Sequence, residues 1–216
     1  MIIFQMKAAV AHLRRADPVM AKIIERVGPC KLAALQPSFE TLARSITFQQ
    51  LHGKAASTIF ARLQNTVGPN FSATAFLKAQ PEALRACGLS RQKLASLTDL
   101  AEHVVRRRIN FKKLSDLDND QVLEALTQVR GVGVWTAQIF LMFALQRPNV
   151  LPLGDFGIRN AVRQAYGLQA MPMPAELAQI AQPWHPYCTV ASWYLWRSLD
   201  SLAVAKKSGN ADGAKG

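Results

Sequence analysis

Apolar positions recur along most of this chain in the manner of helices with one buried face, and turn residues separate them at short intervals. Asp17-Pro18 sets a capping carboxylate before a proline at the first helical position, and the helix that follows stops at Gly28-Pro29. Ser38 caps a second helix carrying Leu42, Ile46 and Phe48. A break at Gln49-Gln50-Leu51-His52-Gly53 precedes a third, Lys54 to Val67, closed by Gly68-Pro69. Ser72 opens a short helix, Pro81 another ending at Gly88, and Ser90 caps a long one to about Arg108. Asp118-Asn119-Asp120 caps a helix through Val122, Leu123 and Leu126. Further helices are expected from about Phe156 to Tyr166 and, after a loop marked by Pro172 and Pro174, twice more up to Trp193 and Trp196. No alternating run of strand length appears, so the pattern predicts an all-α protein.

The helix through Leu126 is interrupted by Val129-Arg130-Gly131-Val132-Gly133, and Val134 to Leu145 resumes as an apolar helix. Two glycines one residue apart suit a tight helical hairpin, because glycine tolerates φ > 0 and lets a ligand come close to the backbone. The N–H groups at the start of the second helix lack intrahelical partners and carry the positive end of the dipole, which suits a phosphate. The same glycines also serve as ordinary hairpin punctuation.

Arg147-Pro148 through Gly154 reads as an extended crossover, and it is the best candidate for a seam between two helical lobes. One carboxylate, Asp155, follows it at the start of the next helix. Aspartate there is a good N-cap, and an ionised carboxylate in an apolar cleft is also suited to stabilising a developing positive charge. The two roles are compatible.

Charge then narrows the partners. The 216 residues carry a formal net charge of +12 and a pI near 10.1, which favours a polyanion, nucleic acid before membrane surface. Arg14-Arg15, Arg106-Arg107-Arg108 and Lys112-Lys113 are either phosphate contacts or solvated surface. No apolar run reaches the roughly 18 residues of a membrane span, and Met1 to Met6 is too short for a signal peptide. Cys30, Cys87 and Cys188 are too few and too far apart for a disulfide framework or a metal cluster. A soluble, cytoplasmic chain is expected, nucleoid-associated if bacterial. From Lys206 the sequence loses its apolar anchors, and residues 206–216 are expected to be a disordered tail.

Val129-Arg130-Gly131-Val132-Gly133-Val134-Trp135-Thr136-Ala137 followed by Leu151-Pro152-Leu153-Gly154-Asp155 resembles the hairpin and Gly/Pro-loop-plus-aspartate signature of the HhH-GPD DNA glycosylases. The 22 positions from Gly133 to Asp155 agree with the family's interval. Gln49-Gln50-Leu51-His52 with the following Lys54-Ala55-Ala56, and the segment from Trp184-His185-Pro186 to Trp196, resemble the 3-methyladenine DNA glycosylase II branch. The similarity covers roughly Ser38 to Leu199.

The resemblance implies two helical lobes with a DNA-binding cleft between them, the hairpin lobe at approximately 41–147 and the other at approximately 1–40 plus 148–205. It implies a monomer that acts on double-stranded DNA containing alkylated bases, flips out a purine of the 3-methyladenine type and hydrolyses its glycosidic bond. Asp155 would match the catalytic aspartate. Trp135 and Trp196 match aromatic positions of the base pocket, where an electron-rich ring holds a cationic base; each is otherwise core. Trp193 and Tyr194 read as core, and Trp184 is unassigned. Gly131, Val132, Gly133 and Thr136 would bind the backbone phosphate, Thr136 through its hydroxyl. Gln50 matches the wedge that fills the gap left by a flipped base, with Leu51 and His52 beside it in the minor groove; the same break also reads as a polar turn. Bifunctional relatives place a nucleophilic lysine where this chain has Trp135, so no lyase activity is expected. No iron–sulfur cluster and no side-chain metal site are expected, although the family's hairpin carbonyls, here near Gly131, can hold Na+ or K+. The alternatives are a glycosylase for ethenoadenine, hypoxanthine or a mismatched base, and a binding protein that keeps the hairpin without the chemistry.

Overall fold

The computed structural model describes residues 3–212, with side chains for residues 6–200. Among these the secondary structure is helical, with no strand. The helices are α1 (Ile3–Ala16), α2 (Pro18–Val27), α3 (Phe39–Phe48), α4 (Gly53–Val67), α5 (Ala73–Lys78), α6 (Pro81–Ala86), α7 (Arg91–Val105), α8 (Asn119–Thr127), α9 (Val134–Phe143), α10 (Phe156–Ala165), α11 (Pro174–Ile180) and α12 (Cys188–Asp212).

The capping residues read from the sequence set the boundaries. Asp17 accepts from Val19 and Met20 N–H, Ser38 from Thr41, Ser72 from Ala75 and Ser90 from Lys93. Asp118 and Gln121 form a reciprocal capping box at α8. Three places differ from expectation. Helix α1 has no capping signature, yet it buries Ala9 and Leu13 one turn apart. Helix α7 stops at Val105 because Arg107 turns into the left-handed region at φ +59°, leaving the arginine run past the helix end. The helical backbone of α12 runs past Lys206 to Asp212, into the stretch expected as a tail, and residues 213–216 lie outside the described residues.

The chain forms two compact units. One comprises Leu35–Leu145, that is α3 to α9. Here α3 and α5 pack on α7, and α8 on α9. Leu42, Ile46, Leu63, Phe76, Leu97, Leu100, Leu126 and Phe140 lie in its core.

The other unit holds the residues up to Ala34 and those from Gln146 onward, with α12 packed on α2 and α10. At its centre lies a buried carboxylate, Asp17. Besides capping α2 it accepts from the fully buried Trp184 Nε1 at 2.8 Å and from the Tyr166 hydroxyl. Trp184 is thereby a structural residue. Burial and the adjacent Asp17 push the Tyr166 hydroxyl well above its ordinary pKa. Burial likewise raises the Cys188 thiol and the Tyr194 hydroxyl, each to about 12.

Asp17→Ala leaves several buried donors unpaired and should lower the unfolding free energy by on the order of 3 kcal/mol in urea titrations. Alkaline pH should also destabilise the fold. The unfolded chain releases the Cys188 and Tyr194 protons near pH 9 and 10, while the folded chain holds them to about 12. Their stabilisation is full below pH 9 and is lost as pH rises towards 12. Unfolding free energies at pH 8 and pH 10.5 should show this loss, and Cys188→Ala should make it smaller.

Candidate active site

The hairpin lies between the end of α8 at Thr127 and the start of α9 at Val134. Val129 and Val132 are buried beneath it, with Val132 N–H bonded to the Val129 carbonyl at 3.0 Å. The two glycines do different things. Gly131 has φ +77°, and a Cβ there would lie 2.5 Å from Ser96 Oγ. Gly133, the N-cap of α9, has φ −90° and open space where a Cβ would be. The expectation of a left-handed turn therefore applies to Gly131 alone. Gly133 leaves room beside the first turn of α9, whose amide dipoles favour an anion. Val134 and Trp135 in that turn are 57% and 47% exposed.

Three side chains from elsewhere in this unit hold the hairpin. Asp99 on α7 accepts from Arg130 N–H at 2.7 Å. Gln49, just past α3, donates through Nε2 to the Gly131 carbonyl at 3.0 Å and to Thr136 Oγ1 at 3.1 Å. Lys93 on α7 donates through Nζ to the carbonyls of Thr47 and Gln49 at 2.6 and 2.7 Å, closing the C-terminal end of α3, and partial burial lowers its pKa. Thr136 differs from expectation. Its side chain is buried and its hydroxyl serves Gln49 instead of facing a phosphate, because the first turn of α9 packs against the α3–α4 turn. A cavity of about 670 Å³ opens between these elements, with Trp135, Gln49, Gln50, Lys93 and Ile139 among its walls.

In the other unit, Thr189 on α12 fixes the crossover. Its hydroxyl donates to the Arg147 carbonyl and accepts from Val150 N–H, while its own N–H donates to the Pro148 carbonyl. The chain then turns through an Asp155 N–H bond to the Pro152 carbonyl and enters α10. Asp155, 8% exposed, caps that helix through Ile158 N–H at 2.7 Å. The same oxygen, Oδ1, accepts from Trp196 Nε1 at 2.9 Å. Trp196 follows Thr189 by seven residues, two helical turns, so one face of α12 holds both the crossover and the carboxylate. Gly157 permits the pair, since a Cβ there would lie 3.1 Å from Asp155 Oδ1 and 3.1 Å from Trp196 Cδ1.

The proposed wedge sits on a strained turn between α3 and α4. Gln50 has φ +56°, Leu51 is 39% exposed, and His52 is the exposed N-cap of α4 without a side-chain capping bond. Left-handed backbone at glutamine costs on the order of 1 kcal/mol, and such strain concentrates at functional positions.

A family model described as HhH-GPD superfamily base excision DNA repair protein matches residues 43–186. The chain belongs to the HhH-GPD superfamily. DNA-3-methyladenine glycosylase 1 of Schizosaccharomyces pombe is 32% identical over 203 residues, spanning 91% of this chain and 89% of its own length. The solved structure of the Schizosaccharomyces pombe 3-methyladenine DNA glycosylase in complex with abasic DNA has a TM-score of 0.78 at 32% identity, covering 88% of this chain and 95% of that one. A DNA-3-methyladenine glycosidase structure from Bacillus halodurans has a TM-score of 0.81 at 34% identity, covering 91% of each chain.

In this HhH-GPD chain the buried Trp193 and Tyr194 are core as expected, with the Tyr194 hydroxyl bonded to the Gly28 carbonyl. Among the described residues no three His, Cys, Asp or Glu side chains come together to hold a metal, and no helix is long and apolar enough to cross a membrane. Sequence reasoning passed over Gln49, Lys93, Gly157 and Phe156. Phe156 is 70% exposed immediately after Asp155. Its neighbour in sequence was the available signal; for Gln49 it was the paired glutamine at a helix break.

The glycines predict contrasting outcomes. Gly131→Ala should destabilise the fold by roughly 2 kcal/mol through its positive φ and its clash with Ser96. Gly133→Ala should leave thermal unfolding within about 0.5 kcal/mol of wild type.

Proposed function

We propose that this HhH-GPD protein is a monofunctional DNA glycosylase that removes alkylated purines of the 3-methyladenine type from duplex DNA, acting as a monomer and leaving an abasic site. The observation that carries the reading is the Asp155 carboxylate, nearly buried yet held by the Ile158 N–H and the Trp196 indole N–H. A protein that only binds DNA gains nothing from a carboxylate, which repels phosphate. The names of the relatives support the same reading.

The chemistry follows from charge. Alkylation at a ring nitrogen makes the base cationic, so the glycosidic electron pair departs onto a good leaving group and the base leaves neutral. The sugar acquires oxocarbenium character at C1′, which the Asp155 anion stabilises, and water forms the new C1′–O bond as its proton passes to the carboxylate or to solvent. Little acid assistance is needed at the base. Trp135 in the hairpin unit and Trp196 in the other each offer an electron-rich ring on which a cationic base can stack, and the Trp196 N–H keeps the carboxylate oriented. Trp135 offers no amine, so the sugar is not captured as a Schiff base and the strand stays intact. Gln50 fills the gap left by the flipped nucleotide, with Leu51 and His52 beside it in the minor groove. A phosphate sits beside Gly133 at the first turn of α9. Na+ or K+ at this turn would share the Gly131 carbonyl with the Gln49 amide and add positive charge towards that phosphate; no chemical step depends on it.

Methylated duplex DNA incubated with the protein should release 3-methyladenine, read by chromatography, with strand breaks only after alkali. Asp155→Asn should slow release by about 10²–10³-fold. Gly133→Ala should weaken duplex binding several-fold at unchanged stability, and binding should fall steeply with salt. Tight binding by wild type without base release would sink the enzyme reading, and strand cleavage without alkali would sink the monofunctional one.

A further inference from the structure

We infer that Gln49 determines which bases are accepted: its side-chain carbonyl, Oε1, is the acceptor in the cavity beside Trp135 for the exocyclic amine of an adenine-type lesion. The inference rests on the glycosylase reading above and specifies the substrate class of that site.

A glutamine amide has two N–H donors and one carbonyl acceptor, and its partners decide which way it faces. The Gly131 carbonyl can only accept, so the Gln49 nitrogen must be the end that meets it at 3.0 Å. The second N–H reaches Thr136 Oγ1 at 3.1 Å. Both donors are thus engaged by the protein. Among the described residues no group donates to Oε1, and Gln49 forms part of the wall of the 670 Å³ cavity. That volume is in the range of small-ligand pockets and admits a purine.

The acceptor is held from both ends. Lys93 Nζ binds the Gln49 main-chain carbonyl at 2.7 Å, while the hairpin holds the amide. Little reorientation entropy is then lost when a base enters. Trp135, half exposed on the same cavity, supplies a face for stacking. The charged groups on the wall, Arg44 and Lys93, are donors only, and of its amide side chains Gln49 is the one whose N–H donors are tied to the hairpin, which leaves a fixed carbonyl to read an N–H. An amino group satisfies Oε1. In ethenoadenine the same nitrogen is bridged and has no hydrogen, and hypoxanthine places an oxygen there, lone pair against lone pair. A site that hydrogen-bonds an N–H discriminates against analogues lacking it, because its own acceptor is left unpaired.

The test uses free bases as inhibitors of excision from methylated DNA: 3-methyladenine, and 3-methylpurine, which lacks only the amine. For wild type the inhibition constant of 3-methyladenine should be about tenfold lower, the value of one hydrogen bond to a partly exposed acceptor. Gln49→Met should bring the ratio to about one by weakening 3-methyladenine alone. Thr136→Val, which removes one anchor of the amide but keeps the acceptor, should retain most of the preference. A purely bracing role for Gln49 would weaken both inhibitors equally and leave the ratio intact. A ratio that survives Gln49→Met, equal inhibition of wild type by the two bases, or inhibition by neither overturns the assignment while base release by wild type still stands. Absence of base release from wild type overturns the glycosylase reading and this assignment with it.

Discussion

Burying a carboxylate requires donors, and the Asp155 site is built around that requirement. Its Oδ1 receives a backbone N–H from the first turn of α10 and an indole N–H from α12. Those two donors come from elements that must be brought together before the anion is tolerable. The strap at Thr189 holds the crossover on α12, and the missing side chain at Gly157 lets the tryptophan close in. The helix cap and the partner of the Trp196 indole are therefore the same group under one constraint. Capping fixes where the carboxylate lies, and the tryptophan fixes how it is turned.

The hairpin unit uses the opposite strategy. There the groups on offer are backbone amides, which have no rotamers, and positioning them is a matter of holding the turn. Asp99 meets the Arg130 N–H, Ser96 occupies the space a side chain at residue 131 would need, and Gln49 ties the Gly131 carbonyl to Thr136. Lys93 in turn anchors Gln49. The result is a rigid turn with an open approach at Gly133 and an exposed tryptophan one residue into the following helix.

Basic charge is spread more diffusely. The Arg106–Arg108 run lies beyond the end of α7 with its side chains exposed, which suits long-range attraction of a polyanion more than a fixed contact.

Helix identity, the capping residues and the separation of Gly133 from Asp155 were legible in the sequence, because caps, prolines and glycines act locally and leave their mark within a few positions. Helix α1 was not, since its identity comes from burial of Ala9 and Leu13 and not from a cap. The different reasons for the two glycines were equally hidden, because φ and neighbouring atoms distinguish them and residue type does not. Residue type places a hydroxyl at Thr136 beside the hairpin but not its direction, and the structure turns it inward to Gln49. Gln49, Lys93, Gly157 and Phe156 gained their meaning only in three dimensions. Sequence by itself determined which chemical groups the chain possesses and where its helices begin. Tertiary structure alone decided which of those groups meet, since a hydrogen bond such as that from Trp196 to Asp155 spans 41 positions and is invisible to any local pattern.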